Sequence, residues 1–204
     1  MRIKRHAHSV EREREIEAEL AEAVWSKGVE GRVCGAHCDA HCRQCGSTRC
    51  QCQCSPFCRD APQMLSSDPK EHPLETRIAP LVYEMKRLGM FDACWSCEGH
   101  LDPDGQLMKT PTVWFYCDKM AHVRVLASGL AKLKYAKRLR AEWRIAVTFS
   151  DTDNPDVTFA LEPSLSQAES LTLAELQSDI DEITRSLQGI MIDEARALMN
   201  APAA

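Results

Sequence analysis

A chain of 204 residues with 44% hydrophobic content and a net charge of −5 is long enough for one ordinary domain with an appendage, and too short for two domains with separate cores. No run approaches the roughly 20 uninterrupted apolar residues that a membrane span needs, so no membrane role is expected. The first residues, Met1 to His6, are basic, but Glu11, Glu13, Glu15, Glu17 and Glu19 stand where a signal peptide would be apolar, so the expected compartment is the cytoplasm.

In chain order, residues 1–33 read as a charged N-terminal helix. Ser9 is a good N-cap, Ile16, Leu20, Ala23 and Val24 recur at helical spacing, and Gly28 is placed to end the helix. Residues 34–60 dissolve into Cys, Gly, Ser, Arg and Gln, and residues 61–73 form a linker rich in Ser, Asp and Pro.

Residues 74–165 carry the pattern of an α+β domain. A helix runs from about Pro73 or Pro80 to Leu88, with Gly89 as its stop; Pro80 lacks an N–H, so the helix either begins or kinks there. Four strands are expected at Phe91–Ser96, Thr112–Cys117, Trp143–Ser150 and Val157–Leu161, with a helical stripe of Val123, Leu126, Ala127, Leu130 and Leu133 between the second and third. The turn-rich stretch Asp151–Asp156 joins the last two as a hairpin. The expected fold is a small, mainly antiparallel sheet in the order β-β-α-β-β, covered by helices.

Residues 166–204 read as a C-terminal amphipathic helix. Thr172 and Glu175 fit a capping box, in which each side chain satisfies an orphan backbone N–H of the first turn. Leu176, Ile180, Ile183, Leu187 and Ile190 form a seam suited to core packing or to a homodimer through helix 172–199.

The strongest chemical signal is thiol density. Cys34, Cys38, Cys42, Cys45, Cys50, Cys52, Cys54 and Cys58 crowd one short segment, and in a reducing cytoplasm such cysteines read as metal ligands rather than disulfides. So little apolar surface cannot offset the entropy of ordering, whereas zinc binding supplies about 10 kcal/mol or more. Neighbouring Cys-x-Cys side chains point apart, which suits metal ligation around a turn, as in metallothionein-like clusters, better than disulfide bonding.

Two tetrahedral thiolate sites follow from the spacing, Cys34, Cys38, Cys42, Cys45 and Cys50, Cys52, Cys54, Cys58, with Arg32, Arg43, Arg49 and Arg59 to offset their charge and His37 and His41 as alternative ligands. An iron–sulfur cluster is the rival cofactor, because Cys38-x3-Cys42-x2-Cys45 resembles the spacing in radical S-adenosylmethionine enzymes. No succession of βα units follows to build those enzymes' barrel.

A second constellation lies in Cys94-Trp-Ser-Cys97-Glu-Gly-His100 at the end of the first expected strand. If the ends of the first two strands meet, Cys94, Cys97 and His100 converge with Cys117 or nearby His122 as a metal site or a thiol active site, with Cys97 and His100 as the catalytic candidates. The stretch Ser96-Cys97-Glu-Gly99-His100 resembles the Ser-Cys-x-Gly-basic signature of the wybutosine-synthesis family that methylates tRNA, with His in place of the usual Arg. Five residues assign no family. Residues 98–105 read as a loop, and Asp102-Pro-Asp104-Gly105 is explained by turn chemistry, since the bidentate Glu of a calcium loop is missing.

Charge is segregated along the chain. Residues 119–144 hold eight Lys/Arg against Glu142 alone, while residues 145–204 hold eleven acids against Arg185 and Arg196. A basic helix facing a polyanion or an internal attraction both fit, and the scarcity of stacking residues favours the internal one.

These readings point to a metal-binding accessory or regulatory protein, holding zinc or alternatively an iron–sulfur cluster, whose Cys-rich module docks a protein or nucleic-acid partner. The competing expectation is an enzyme with a Cys94, Cys97, His100 site acting on RNA or a nucleotide.

Overall fold

The computed structural model describes residues 9–26, 28, 33, 55–149, 156–164, 166 and 170–200. Cys34 through Cys54, with His37 and His41, lie outside the described residues, as do residues 151–155 of the expected hairpin loop.

Helix α1 (Val10–Trp25) opens on Ser9, whose hydroxyl accepts from the Arg12 N–H at 3.2 Å. Its stripe of Leu20, Ala23 and Val24 is buried. A single turn, α2 (Ala61–Met64), interrupts the expected linker. Helix α3 (Ala79–Leu88) begins immediately before Pro80, where a missing N–H costs nothing, and stops at Gly89, which is left-handed at φ 70°. The helix therefore starts at Ala79 with Pro80 in its first turn, and Pro80 is not a kink within it.

Strand β1 (Asp92–Cys97) leads into a small hairpin, β2 (His100–Leu101) and β3 (Leu107–Lys109), then β4 (Thr112–Tyr116), helix α4 (Met120–Tyr135), and the hairpin β5 (Trp143–Thr148) and β6 (Thr158–Pro163). Part of the expected loop 98–105 is thus paired: His100 stands opposite Lys109, and the Asp102 carboxylate closes the turn by accepting from the N–H groups of Asp104 and Gln106. The last helix, α5 (Leu173–Met199), carries the full capping box between Thr172 and Glu175.

The fold is α+β. The main sheet has the order β1-β4-β6-β5, and every pairing in it is antiparallel. Alternation gives the sheet two unlike faces. Val113, Phe115, Phe159 and Leu161 point inward and are buried in one apolar core with residues of α1, α3, α4 and α5. Phe115 meets Phe91 edge-on, centroids 5.2 Å apart, and stacks on Phe159 at 5.7 Å. The register puts Trp95, Trp114, Arg144 and Glu162 on the other face. No helix among the described residues is long and apolar enough to cross a membrane.

The seam of α5 is consumed within the chain: Leu176, Ile180, Ile183 and Leu187 are completely buried and Ile190 packs against the same core. The basic stretch proves shorter as a helix than 119–144, because Lys137 turns left-handed at φ 59° and α4 ends at Tyr135. Its charges meet α5 directly. Lys132 pairs with Glu194, Arg138 with Glu182, and Arg140 with Glu175 at 3.9 Å. The segregated charges thus attract each other across two packed elements.

Candidate metal centre

The antiparallel pairing of β1 with β4 decides which expected site residues meet. Cys97 stands opposite Thr112 and Asp92 opposite Tyr116, so the end of β1 faces the start of β4, and Cys117 lies past the far end of the ladder. Bringing Cys117 to Cys97 would require parallel strands. Cys117 instead donates to the Lys119 carbonyl at 3.4 Å, and burial raises its thiol pKa. His122 is also elsewhere, buried between α1 and α4 with its Nε2–H donating to the Glu19 carbonyl at 2.8 Å.

Cys94 sits at a β-bulge, where the register slips between Ala93 and Trp95. A bulge re-aims the side chains after it. Cys94 is exposed and Cys97 buried, and the group of possible ligands that forms around Cys97 among the described residues does not include Cys94. Cys58, the last thiol of the Cys-rich segment, is half-buried against the small apolar cluster of Val33, Ala61 and Tyr83.

Cys97 and His100 do converge, and their third partner is Glu75, in the turn before α3. The ligand atoms of Glu75, Cys97 and His100 all lie within 4.8 Å of one another. His100 Nε2 is 2.8 Å from Glu75 Oε1. The second oxygen of Glu75 accepts the backbone N–H of Glu98 at 2.6 Å, and the Glu98 carboxylate in turn accepts the backbone N–H of Arg77 at 2.7 Å. These reciprocal bonds clamp the β1–β2 corner to the segment ahead of α3.

Helix α5 closes the corner from a third side. Gln177 Nε2 donates to the Glu98 carbonyl at 3.2 Å, and Arg77 pairs with Asp181 at 3.2 Å. Between Cys97 and His100 the backbone passes through Gly99 at φ 87°, with Leu173 and Pro111 packed so closely that a Cβ there would lie 2.6 Å from Leu173 Cδ1. Only glycine fits both the torsion and the space.

The electrostatics of Cys97 follow from this packing. Burial pushes its thiol above the ordinary range; the Gly99 N–H at the sulfur opposes that, Glu75 adds to it, and Lys109 opposes it weakly. The unaided thiol is therefore protonated near neutral pH and a poor nucleophile. A divalent ion inverts this, because a thiol that coordinates a metal binds it as the thiolate and releases its proton to solvent.

One carboxylate, one thiol and one imidazole make a mixed donor set that zinc accepts. Donor atoms around a tetrahedral zinc are about 3.3–3.6 Å apart by bond lengths alone, so closing the triad around an ion needs small shifts, including parting the His100–Glu75 pair.

Cys97 also forms part of the wall of a cleft of about 530 Å³, lined with Trp95, Leu107, Lys109, Thr112 and Trp114 among others. Glu75 escaped the sequence reading because nothing in spacing links it to a Cys/His motif so far downstream; only the folded turn before α3 brings it there. No family model, curated protein or solved structure matches this chain.

Proposed function

We propose that this is a zinc-binding protein in which Glu75, Cys97 and His100 take one ion at the β1–β2 corner, while the Cys34–Cys58 segment takes further zinc and serves as a docking module. The observation that carries the reading is the convergence of a carboxylate oxygen, a sulfur and an imidazole nitrogen within 4.8 Å. Three protein donors leave the fourth position of a tetrahedral ion open, the pattern of zinc sites that handle a water or a substrate.

A second reading makes Cys97 a nucleophile with His100 as its base and Glu75 orienting the imidazole. The 2.8 Å His100–Glu75 contact favours it, but the buried, proton-retaining thiol argues for metal as the agent that activates the sulfur.

The test is elemental analysis of protein purified under reducing conditions, for the wild type and for Cys97→Ser and His100→Ala. The corner accounts for one zinc, and each variant loses it while keeping the far-ultraviolet circular dichroism of the wild type. The Cys-rich segment adds about two zinc ions if two four-thiolate sites fill. Equal zinc content in wild type and both variants would remove the corner site, and a brown protein carrying iron would replace zinc with an iron–sulfur cluster.

A further inference from the structure

The cleft beside Cys97 has the makings of a ligand site. Its lining is drawn from the sheet face opposite the core and from the β2–β3 hairpin, and two indoles stand there side by side: Trp95 and Trp114, centroids 4.7 Å apart at 42°. Trp95 is still 44% exposed, although an indole this large usually sits well covered. One ring of the pair is thus braced by the other and still partly open to solvent.

The rim is polar and unevenly charged. Glu162 is neutralised by Arg144 on the neighbouring strand, at 2.8 Å. Lys109, by contrast, has no ion-pair partner among the described residues, and it lies near enough to Cys97 to act on the sulfur electrostatically. Gln106, Thr110 and Thr112 add hydrogen-bonding groups around the same opening. A volume of about 530 Å³ falls within the range of roughly 300–1,000 Å³ that holds small ligands.

We propose that this cleft binds a planar aromatic anion, its ring stacked on Trp95 and its negative group paired with Lys109, which sets the ligand beside Cys97. The proposal deepens the zinc reading and rests on it for what the bound molecule would meet at Cys97. Ring and anion recognition use separate residues and need no ion. Two chemical sources supply such a molecule, a nucleoside monophosphate or a small aromatic carboxylate, and they share the flat ring and the single anionic group.

Isothermal titration of the full chain tests this with AMP and indole-3-carboxylate as the two sources, and with indole and inorganic phosphate as ring-only and anion-only controls. At least one of the aromatic anions binds saturably and more tightly than either control; which one binds identifies the source. Trp95→Ala weakens that binding about tenfold, the scale of a lost aromatic stack, and the exposed Lys109→Glu weakens it by at least as much. Failure of both aromatic anions, phosphate binding as tightly as either, or unchanged affinity in both variants would overturn the proposal.

The same titration on Cys97→Ser separates the two readings. An aromatic anion that binds this variant, whose corner holds no zinc, upholds the cleft even where the corner site fails, and zinc at the corner with no aromatic anion bound sinks the cleft alone.

Discussion

The carboxylate of Asp179, on the buried face of α5, accepts the indole N–H of Trp143 at 3.0 Å and also the backbone N–H groups of Arg140 and Ala141 at 2.8 Å each. One side chain from α5 thereby satisfies two backbone donors of the α4–β5 connection and the indole of β5's first residue, two of the three bonds being buried. Asp179→Ala leaves those donors without a partner, at about 1–3 kcal/mol for each that stays dry, so a total loss of about 3 kcal/mol is expected. Asp179→Asn keeps one acceptor oxygen and recovers part of it. Urea unfolding checks both, and a loss for the alanine variant within about 0.5 kcal/mol, the range of a neutral surface change, would mean that water replaces the carboxylate.

Gly99 and Gly105 separate torsional strain from crowding. Both are left-handed, at φ 87° and 81°, but a Cβ at Gly105 meets nothing within 4 Å whereas one at Gly99 runs into Leu173 and Pro111. Gly105→Ala should therefore cost only the torsional penalty of about 1 kcal/mol. Gly99→Ala adds the displacement of α5's first residue and should cost about 2–3 kcal/mol, and it should also weaken zinc at the corner because Cys97 and His100 flank it. Equal costs at the two positions would show that Leu173 simply swings aside.

Legibility differed sharply between the fold and the site. Thr172 and Glu175 announce α5 because a capping box is a local device, complete within four residues. Val113 and Phe115, alternating with Trp114, announce β4 for the same reason. The hairpin of His100 and Leu101 was hidden because two residues are too few to display a period. Glu75 was hidden for a deeper reason: its role depends on the packing of the pre-α3 turn against the end of β1, a tertiary relation that no local spacing records. Cys117 misled in the opposite direction. Its place at a strand end resembles that of Cys97, and only the antiparallel register shows that the two ends are far apart.

Alkaline pH should destabilise the metal-free protein through two thiols that packing withdraws from water, Cys97 buried and Cys117 half-buried. Burial raises the pKa of both Cys97 and Cys117, so the folded chain holds those protons to higher pH than the unfolded chain does. The resulting stabilisation is fully present below the unfolded thiol value of about 8.5, and it is lost as pH climbs from there through the folded values. Urea midpoints across that window should fall for the wild type. The double variant Cys97→Ala, Cys117→Ala should show a flatter decline, and an equally steep one would assign the alkaline loss to other groups.

Zinc uptake at the corner must expel the Cys97 proton, because the ion binds the thiolate while the unliganded site favours the thiol. At neutral pH the corner should therefore release close to one proton from this sulfur per zinc, and its affinity should rise with pH. The Cys-rich segment releases protons of its own, so the informative quantity is the difference between wild type and Cys97→Ser. Titrations with zinc in buffers of different ionisation enthalpy measure it directly. A difference near zero would mean that zinc at this corner, if bound, is held by Glu75 and His100 without the sulfur, and the fourth position would then no longer be the only open one.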